Sequence, residues 1–319
     1  MSNRNSREIH TVFGAGQVGM QLARLLASRG HDVRLIRRSA TGPEIPGVTW
    51  MQGDATNATF ANAACSGASV VYNCTNPPDY GKWDGVLVPL FRAVWQAAGR
   101  AGARVVQLDN LYMYGKPERT PFDERTPMQP CSDMGRLRQQ LVEELFAAHE
   151  RGDVQATSGR ASDYFGPDTP NAAVLRPDVY DRLIGGGTVY LTGNPDLPHS
   201  YSYTPDVALG LAVLGEQHAA LGRAWHLPTA AQLTTRELLE RFATRTGTSV
   251  KIRRVPHWAL RTIGVFSALA SGLAEMSYQW DVPYLIDDSD FRRTFAVSPT
   301  DLDVAIDTTL AAHRKAQAA

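Results

Sequence analysis

The sequence predicts an α/β fold, a doubly wound parallel sheet followed by a smaller C-terminal α/β domain. Three observations carry that prediction. Short β-branched runs alternate with amphipathic stretches of helical length from residue 9 to about residue 166, the pattern of βαβ units. The first run leads directly into glycines at 14, 16 and 19. The alternation then weakens after Gly166-Pro167. At 319 residues the chain can form one large α/β unit with an appendage.

The elements follow in order. Strands are expected over residues 9–13, 32–36, 49–52, 69–73, 104–109 and 155–161, several of them rich in Val, Ile and aromatic residues. Between them, residues 18–28, 83–101 and 132–150 carry apolar side chains three and four apart, as helices lying on a sheet do. Later come the Gly185-Gly186-Gly187 turn, a strand at 189–192 and helices at 205–215 and 235–246. No internal repeat or long linker interrupts the chain.

Gly14-Ala15-Gly16-Gln17-Val18-Gly19 leaves an apolar strand and enters an amphipathic helix. Gly14 permits the tight turn, Gly16 lets a pyrophosphate approach the backbone, and Gly19 allows close packing of helix on strand. The N–H groups at the helix start then face the phosphates. The second strand ends in Arg37-Arg38-Ser39, where a fold selective for NAD places an acidic residue on the ribose 2′-hydroxyl. Arginine there suits a 2′-phosphate, so NADP (as NADPH) is preferred to NAD. Residues 1–166 are expected to be a Rossmann domain that binds NADP. Residues 167–319 should mainly bind substrate, with segments around 200–228 returning to the first domain.

Lys plus Arg and Asp plus Glu balance at 32 each, so no global field draws the chain to nucleic acid or an anionic membrane. A small-molecule substrate is the expected partner. Cys65, Cys74 and Cys131 are an odd count without a close pair or a histidine at ligand spacing. That argues for a reducing, cytoplasmic setting and against structural zinc, and no metal is expected. The polar N-terminus does not read as a signal peptide. Residues 258–276 are too interrupted by polar residues and glycine for a membrane span.

Five blocks taken together, Gly14-Ala-Gly16-Gln-Val-Gly19, Gly53-Asp54-Ala55, Asn73-Cys-Thr75-Asn76, Asp109-Asn110-Leu-Tyr112-Met-Tyr114-Gly115 and Asp163-Tyr164-Phe-Gly166-Pro167, resemble the extended and atypical short-chain dehydrogenase/reductases. The resemblance includes the epimerase/dehydratase-like branch and runs over about residues 8 to 245. It implies Asp54 and Ala55 near the adenine, Thr75 and Asn76 along the cofactor, and Gly166-Pro167 beside the nicotinamide. That family carries a Ser or Thr after the fifth strand, then a Tyr with a Lys four residues later on a helix. Asn110, Met134 and Arg138 stand at those positions. Asn110 can donate a hydrogen bond and Arg138 can bond ribose hydroxyls as a fixed cation, although turn capping and surface charge are the plainer readings of both. Met134 cannot act as an acid. Tyr112 is the first candidate proton source, ahead of Tyr114 and Tyr164.

The stretch around His199-Ser-Tyr201-Ser-Tyr203-Thr-Pro-Asp206 resembles the family segment where an arginine clasps the diphosphate of a nucleotide sugar. His199 occupies the arginine's place and holds a diphosphate poorly; a surface loop histidine is the alternative. Residues 256–266, with Met276, Tyr278, Trp280 and Tyr284, would give the cleft an apolar wall, or else belong to the core. These readings lead to an NADP-dependent oxidoreductase of a small, largely apolar carbonyl or imine-type substrate. Site residues on the substrate side are Tyr112, Tyr164 and His199. Two other readings stay open: an NAD(P)-dependent sugar epimerase or dehydratase, and a non-catalytic NADP-binding sensor or scaffold. The helices at 83–101 and 132–150 resemble those through which family members pair, which implies a homodimer.

Overall fold

The computed structural model describes residues 7–39, 42–77, 83–256, 272 and 274–318. Strands β1 (Ile9–Phe13), β2 (Asp32–Arg37), β3 (Val48–Gln52), β4 (Val70–Asn73), β5 (Arg104–Asp109) and β6 (Gln155–Arg160) alternate with helices α1 (Gly19–Ser28), α2 (Ala58–Cys65), α3 (Trp83–Arg100) and α4 (Asp133–Glu150). After them come β7 (Asp163–Phe165), α5 (Pro177–Ile184), β8 (Thr188–Thr192), β9 (Pro198–Tyr203), α6 (Thr204–Glu216), β10 (Ala224–His226), β11 (Ala231–Thr234), α7 (Thr235–Arg245), β12 (Lys251–Val255), α8 (Ser289–Phe295) and α9 (Leu302–Gln317).

Seven strands form one sheet in the order β10-β6-β5-β4-β1-β2-β3, and every pairing in it is parallel. Strand side chains point alternately to opposite faces. Phe13, Val71 and Val105 meet α2, α3 and α4 through Ala61, Phe91 and Leu141. Val12, Val70, Tyr72 and Val106 meet α1 and α6 through Leu22, Leu26, Val207 and Leu211. Burial on both faces accounts for the β-branched and aromatic residues that marked these strands in the sequence. The strand order reverses between β1 and β4, which opens a crevice at the carboxyl ends of the strands.

The sheet's last strand comes from late in the chain: β10 pairs with β6, Ala224 opposite Ser158. A third core lies under the three-stranded sheet β11-β9-β7 and the pair β12-β8, where Tyr180, Leu183, Tyr201, Phe242 and Ile306 pack together. Helix α2 has no strong signal in the sequence because its apolar residues are mostly alanine. It is started by Asn57, whose side chain accepts from the Phe60 N–H at 3.1 Å, an N-cap. Among the described residues no helix is long and apolar enough to cross a membrane. Residues 258–271 and 273, most of the interrupted apolar stretch, lie outside the described residues.

Where β4 and β5 reach the crevice, a buried polar cluster sets their ends. Gln107 Oε1 accepts from Asn73 Nδ2 at 2.9 Å and from Trp95 Nε1 at 3.0 Å, and its amide donates to the Leu108 carbonyl at 2.7 Å. Asn73 Oδ1 in turn accepts from the Thr75 backbone and hydroxyl at 3.2 and 2.6 Å. Gln107→Leu would strand two buried donors. The expected result is a loss of about 2–4 kcal/mol, read as a lower urea midpoint with an unchanged slope; an unmoved midpoint would refute this account of the strand ends.

Candidate functional site

The crevice is a cleft of about 1260 Å³, larger than the few hundred to about 1,000 Å³ of an ordinary small-ligand pocket. Its floor is the turn from β1 to α1. Gly14 donates its N–H to the Ile36 carbonyl at 3.1 Å and sits at φ 98°, backbone that favours glycine. A Cβ on Gly19 would stand 1.8 Å from the Gly14 carbonyl oxygen, so helix and strand touch there. A Cβ on Gly16 would meet nothing within 4 Å. The space a diphosphate needs is thus in front of Gly16, and the neighbouring Gln17 Oε1 is a buried acceptor with no hydrogen-bond partner.

At one end the cleft is lined by Arg37, Arg38 and Ser39 from the end of β2 and by Asp54, Ala55 and Thr56 from the loop after β3. Among the described residues neither arginine is in an ion pair. Asp54 accepts from the Thr56 N–H at 2.9 Å and from its hydroxyl at 2.8 Å. These bonds, helped by the Arg38 charge, hold its carboxyl below the usual range. The middle of the cleft is lined by Val18, Thr75 and Asn76.

The other end is built on a buried ion pair. Arg138 projects from α4, its side chain 3% exposed, and donates to Asp109 Oδ1 at 3.2 Å and to Asn76 Oδ1 at 2.7 Å. Its guanidinium lies 4.7 Å from the Trp83 ring centre and 5.2 Å from that of Phe91, a stacked cation. Burial pushes the Asp109 carboxyl up, opposed by Arg138 and Arg160. Asp109 Oδ1 also accepts from the Asn110 N–H at 2.9 Å, and Asn110 Oδ1 accepts from the Tyr112 N–H at 3.0 Å. That chain of bonds shapes the short 3-10 turn Tyr112–Tyr114. The Tyr112 ring stacks on Trp83 at 6.3 Å. Asn110, Tyr112 and Arg138 all line the cleft. Gly135 makes this convergence possible, since a Cβ there would stand 2.6 Å from the Tyr112 carbonyl oxygen.

Several expected site residues fall elsewhere. Met134 does not line the cleft: its thioether is in the core beneath α4, and its N–H donates to Glu275 Oε1 at 3.0 Å. Gly166 and Pro167 do not line it either; the Pro167 carbonyl accepts from Gln21 of α1 at 3.0 Å, and the same amide reaches Thr204 of α6 at 2.9 Å. They dock β7 onto two helices, while Ala161, Ser162, Asp163 and Tyr164 form the cleft wall. His199 is in strand β9 rather than in a surface loop, 2% exposed, with Nε2 2.9 Å from Asp163 Oδ2. It approaches the cleft only through that aspartate, whose Oδ2 accepts from Trp280 Nε1 at 2.8 Å.

Of the three tyrosines, Tyr112 and Tyr164 line the cleft. Desolvation raises the Tyr164 hydroxyl. Tyr114 is buried, its hydroxyl 2.9 Å from His226 Nε2 and bonded to Arg160, and burial pushes it up to about 12. Of the expected apolar wall, residues 257–266 lie outside the described residues. Met276, Tyr278, Trp280 and Tyr284 are core residues; Gln279 lines the cleft instead. The sequence reading missed Trp83, whose stacking needs the tertiary fold, and Asn171 and Arg176, which line the cleft beside the start of α5.

Residues 11–226 match the family described as the NAD dependent epimerase/dehydratase family. No curated protein matches by sequence. Among solved structures, the epimerase Mth375 of Methanothermobacter thermautotrophicus superimposes with a TM-score of 0.80 at 16% identity, covering 98% of this chain and 94% of that one. A dTDP-glucose 4,6-dehydratase, the DesIV double mutant of Streptomyces venezuelae with NAD and DAU bound, gives 0.78 at 18% identity over 98% of each chain. WbmG of Bordetella bronchiseptica, in complex with NAD and UDP, gives 0.74 at 20% identity over 99% and 96%. At these identities the likeness is one of fold.

Arg138→Met keeps the stacking length but removes the charge that neutralises Asp109. The expected cost is about 3–5 kcal/mol by urea denaturation, and Arg138→Met combined with Asp109→Asn should recover part of it. A double variant no more stable than the single one would show that the ion pair is not what joins these elements.

Proposed function

The chain belongs to the NAD dependent epimerase/dehydratase family, and within that family we propose that it is an NADP-dependent oxidoreductase reducing a small, largely apolar carbonyl or imine-type substrate. The observation that carries the reading is the exchange of places on α4 and the turn before it: Met134 is in the core, while Tyr112 and Asn110 present a hydroxyl-bearing ring and a carboxamide to the cleft. Residues 1–166 would hold the cofactor. Residues 167–319 would supply much of the substrate side, apart from segments near 200–228 that return to the sheet.

A nicotinamide dinucleotide fits the cradle: the open face of Gly16 and the unpartnered Gln17 oxygen suit a diphosphate and its ribose. Asp54 and Ala55 would border the adenine, Thr75 and Asn76 the middle of the molecule. Arg37 and Arg38 would take a 2′-phosphate, which a guanidinium grips bidentately; the named structural neighbours from Streptomyces and Bordetella hold NAD. When bound, the reduced cofactor supplies hydride. The Asn110 carboxamide oxygen is already engaged by Tyr112, so its Nδ2 group is the end that orients the acceptor atom. Tyr112 then gives that atom its proton. Arg138, fixed by Asp109 and Asn76, keeps the Trp83 and Tyr112 rings in place. Val86, Pro89 and Leu90 of α3 with Ala172 and Ala173 make much of the remaining wall apolar, which is why a small apolar substrate is preferred.

A second reading, a sugar epimerase or dehydratase with tightly held cofactor, is favoured by the family match. Against it, His199 does not reach the cleft, and Arg176, which does, is gripped by Asp178 through Nε–Oδ1 at 2.7 Å and Nη2–Oδ2 at 3.3 Å. A dimer through α3 and α4 and a reducing, cytoplasmic setting with three free cysteines complete the proposal.

Calorimetry should show NADPH binding ~10-fold or more tighter than NADH, with Arg38→Ala erasing most of the difference; equal affinities would remove the NADP assignment. Across a panel of aldehydes, ketones and cyclic imines at least one should consume NADPH. With that substrate, Tyr112→Phe should cut kcat by roughly 10²- to 10⁴-fold at unchanged NADPH affinity. An unchanged kcat means another proton source, and no turnover with any compound leaves a cofactor-binding sensor.

A further inference from the structure

On the far side of the sheet from the cleft, at the amino ends of the strands, three metal-ligating side chains converge that the proposed chemistry does not use. Glu8 precedes β1, His10 is its second residue and His31 precedes β2. One ligand atom from each lies within 4.8 Å of the other two. The His10 side chain is fully buried, yet its Nε2 has no hydrogen-bond partner; Glu8 Oε2 stands 3.5 Å from it. The other ring nitrogen, Nδ1, is 3.1 Å from the buried Tyr72 hydroxyl. A proton on Nδ1 given to Tyr72 leaves the Nε2 lone pair directed at Glu8 and His31. Metal-bound imidazoles are commonly oriented by such a second partner.

We propose that Glu8, His10 and His31 form a binding site for a zinc-class divalent cation. Two imidazoles and one carboxylate suit zinc and its neighbours rather than magnesium or calcium, and three protein ligands leave a fourth position for water. Donor atoms in a tetrahedral zinc shell are about 3.3 Å apart, close to the His10–Glu8 spacing of 3.5 Å. The remaining gap closes by movement of Glu8 and His31, whose side chains are 53% and 20% exposed. Glu216 Oε1 lies 3.6 Å from His31 Nε2, although Arg29 holds that carboxylate at 2.7 Å. The His10 and His31 rings are 4.0 Å apart. Cysteine spacing in the sequence argued against zinc; this set uses no cysteine.

The test is calorimetric titration of the chelator-treated full chain with zinc chloride at neutral pH, beside melting curves with and without zinc. One ion per chain and a raised melting temperature are expected. Glu8→Gln and His31→Gln, both at sites with solvent around them, should each weaken binding ~10-fold or more and abolish the zinc-dependent rise in melting temperature. Cys131→Ser should change neither. Absence of saturable binding, binding unchanged in both ligand variants, or binding lost in Cys131→Ser would overturn the proposal.

Discussion

The ion pair between Arg138 and Asp109 is the constraint on which one end of the cleft depends. A guanidinium and a carboxylate removed from water each carry a desolvation cost of several kcal/mol, and the pair persists because further bonds and ring stacking engage both partners. Asp109 ends β5, Asn76 follows β4, Trp83 begins α3 and Arg138 belongs to α4. The contacts of one side chain therefore set the relative position of four chain segments. The same carboxylate oxygen that holds Arg138 also accepts from Asn110, so the loop presenting Asn110 and Tyr112 is placed by the same interaction. Where a lysine would remain free to exchange partners, the planar arginine is committed to two acceptors and a ring face.

Much of the fold was legible in the sequence for a simple reason. Strands covered on both faces favour β-branched and aromatic residues, and β1, β2 and β4 carry them, while the polar His10 and Thr11 of β1 and Gln107 of β5 are buried with hydrogen-bond partners. The glycine motif was legible because each glycine answers a separate steric demand, the φ of Gly14, the open face of Gly16 and the contact made by Gly19. The orientation of Met134 was not. Positions 134 and 138 lie one helical turn apart on the buried face of α4, and that face serves the core at one turn and the cleft at the next. Nothing in the order of residues says which. His199 was hidden by composition: Pro-His-Ser-Tyr-Ser-Tyr lacks branched apolar residues, so β9 reads as a loop, and its burial depends on Asp163, Tyr201 and Tyr284, of which only Tyr201 is local. Gly166-Pro167 was misplaced because the turn after β7 bends toward α1 through Gln21, a contact between segments far apart in sequence.

The two ends of the sheet divide polar roles between them. The carboxyl ends gather glycines, hydroxyls and arginines around an open crevice, as the reversal of strand order between β1 and β4 requires. The amino ends gather histidines and carboxylates, with His10 and Tyr72 fully buried. Tyr72 connects the two through its position. It lies one residue before Asn73, which orients Thr75 in the crevice, and its hydroxyl points the other way to His10.

The pairing of β10 with β6 also bears on how the chain comes together during synthesis. Once residues up to 160 have emerged from the ribosome, six strands and four helices are available, but β6 is left with an open edge of unpaired backbone N–H and C=O groups. Such an edge is a template for association with other chains. It is closed only when residues 224–226 arrive, after the three-stranded sheet's β7 and β9 and the helix α6 have been made. The nascent N-terminal half must therefore wait, partly assembled, for a strand encoded well beyond it. A fragment ending near residue 166 would keep that edge permanently, so the crevice and the late segment that seals its sheet are best regarded as one cooperative folding unit.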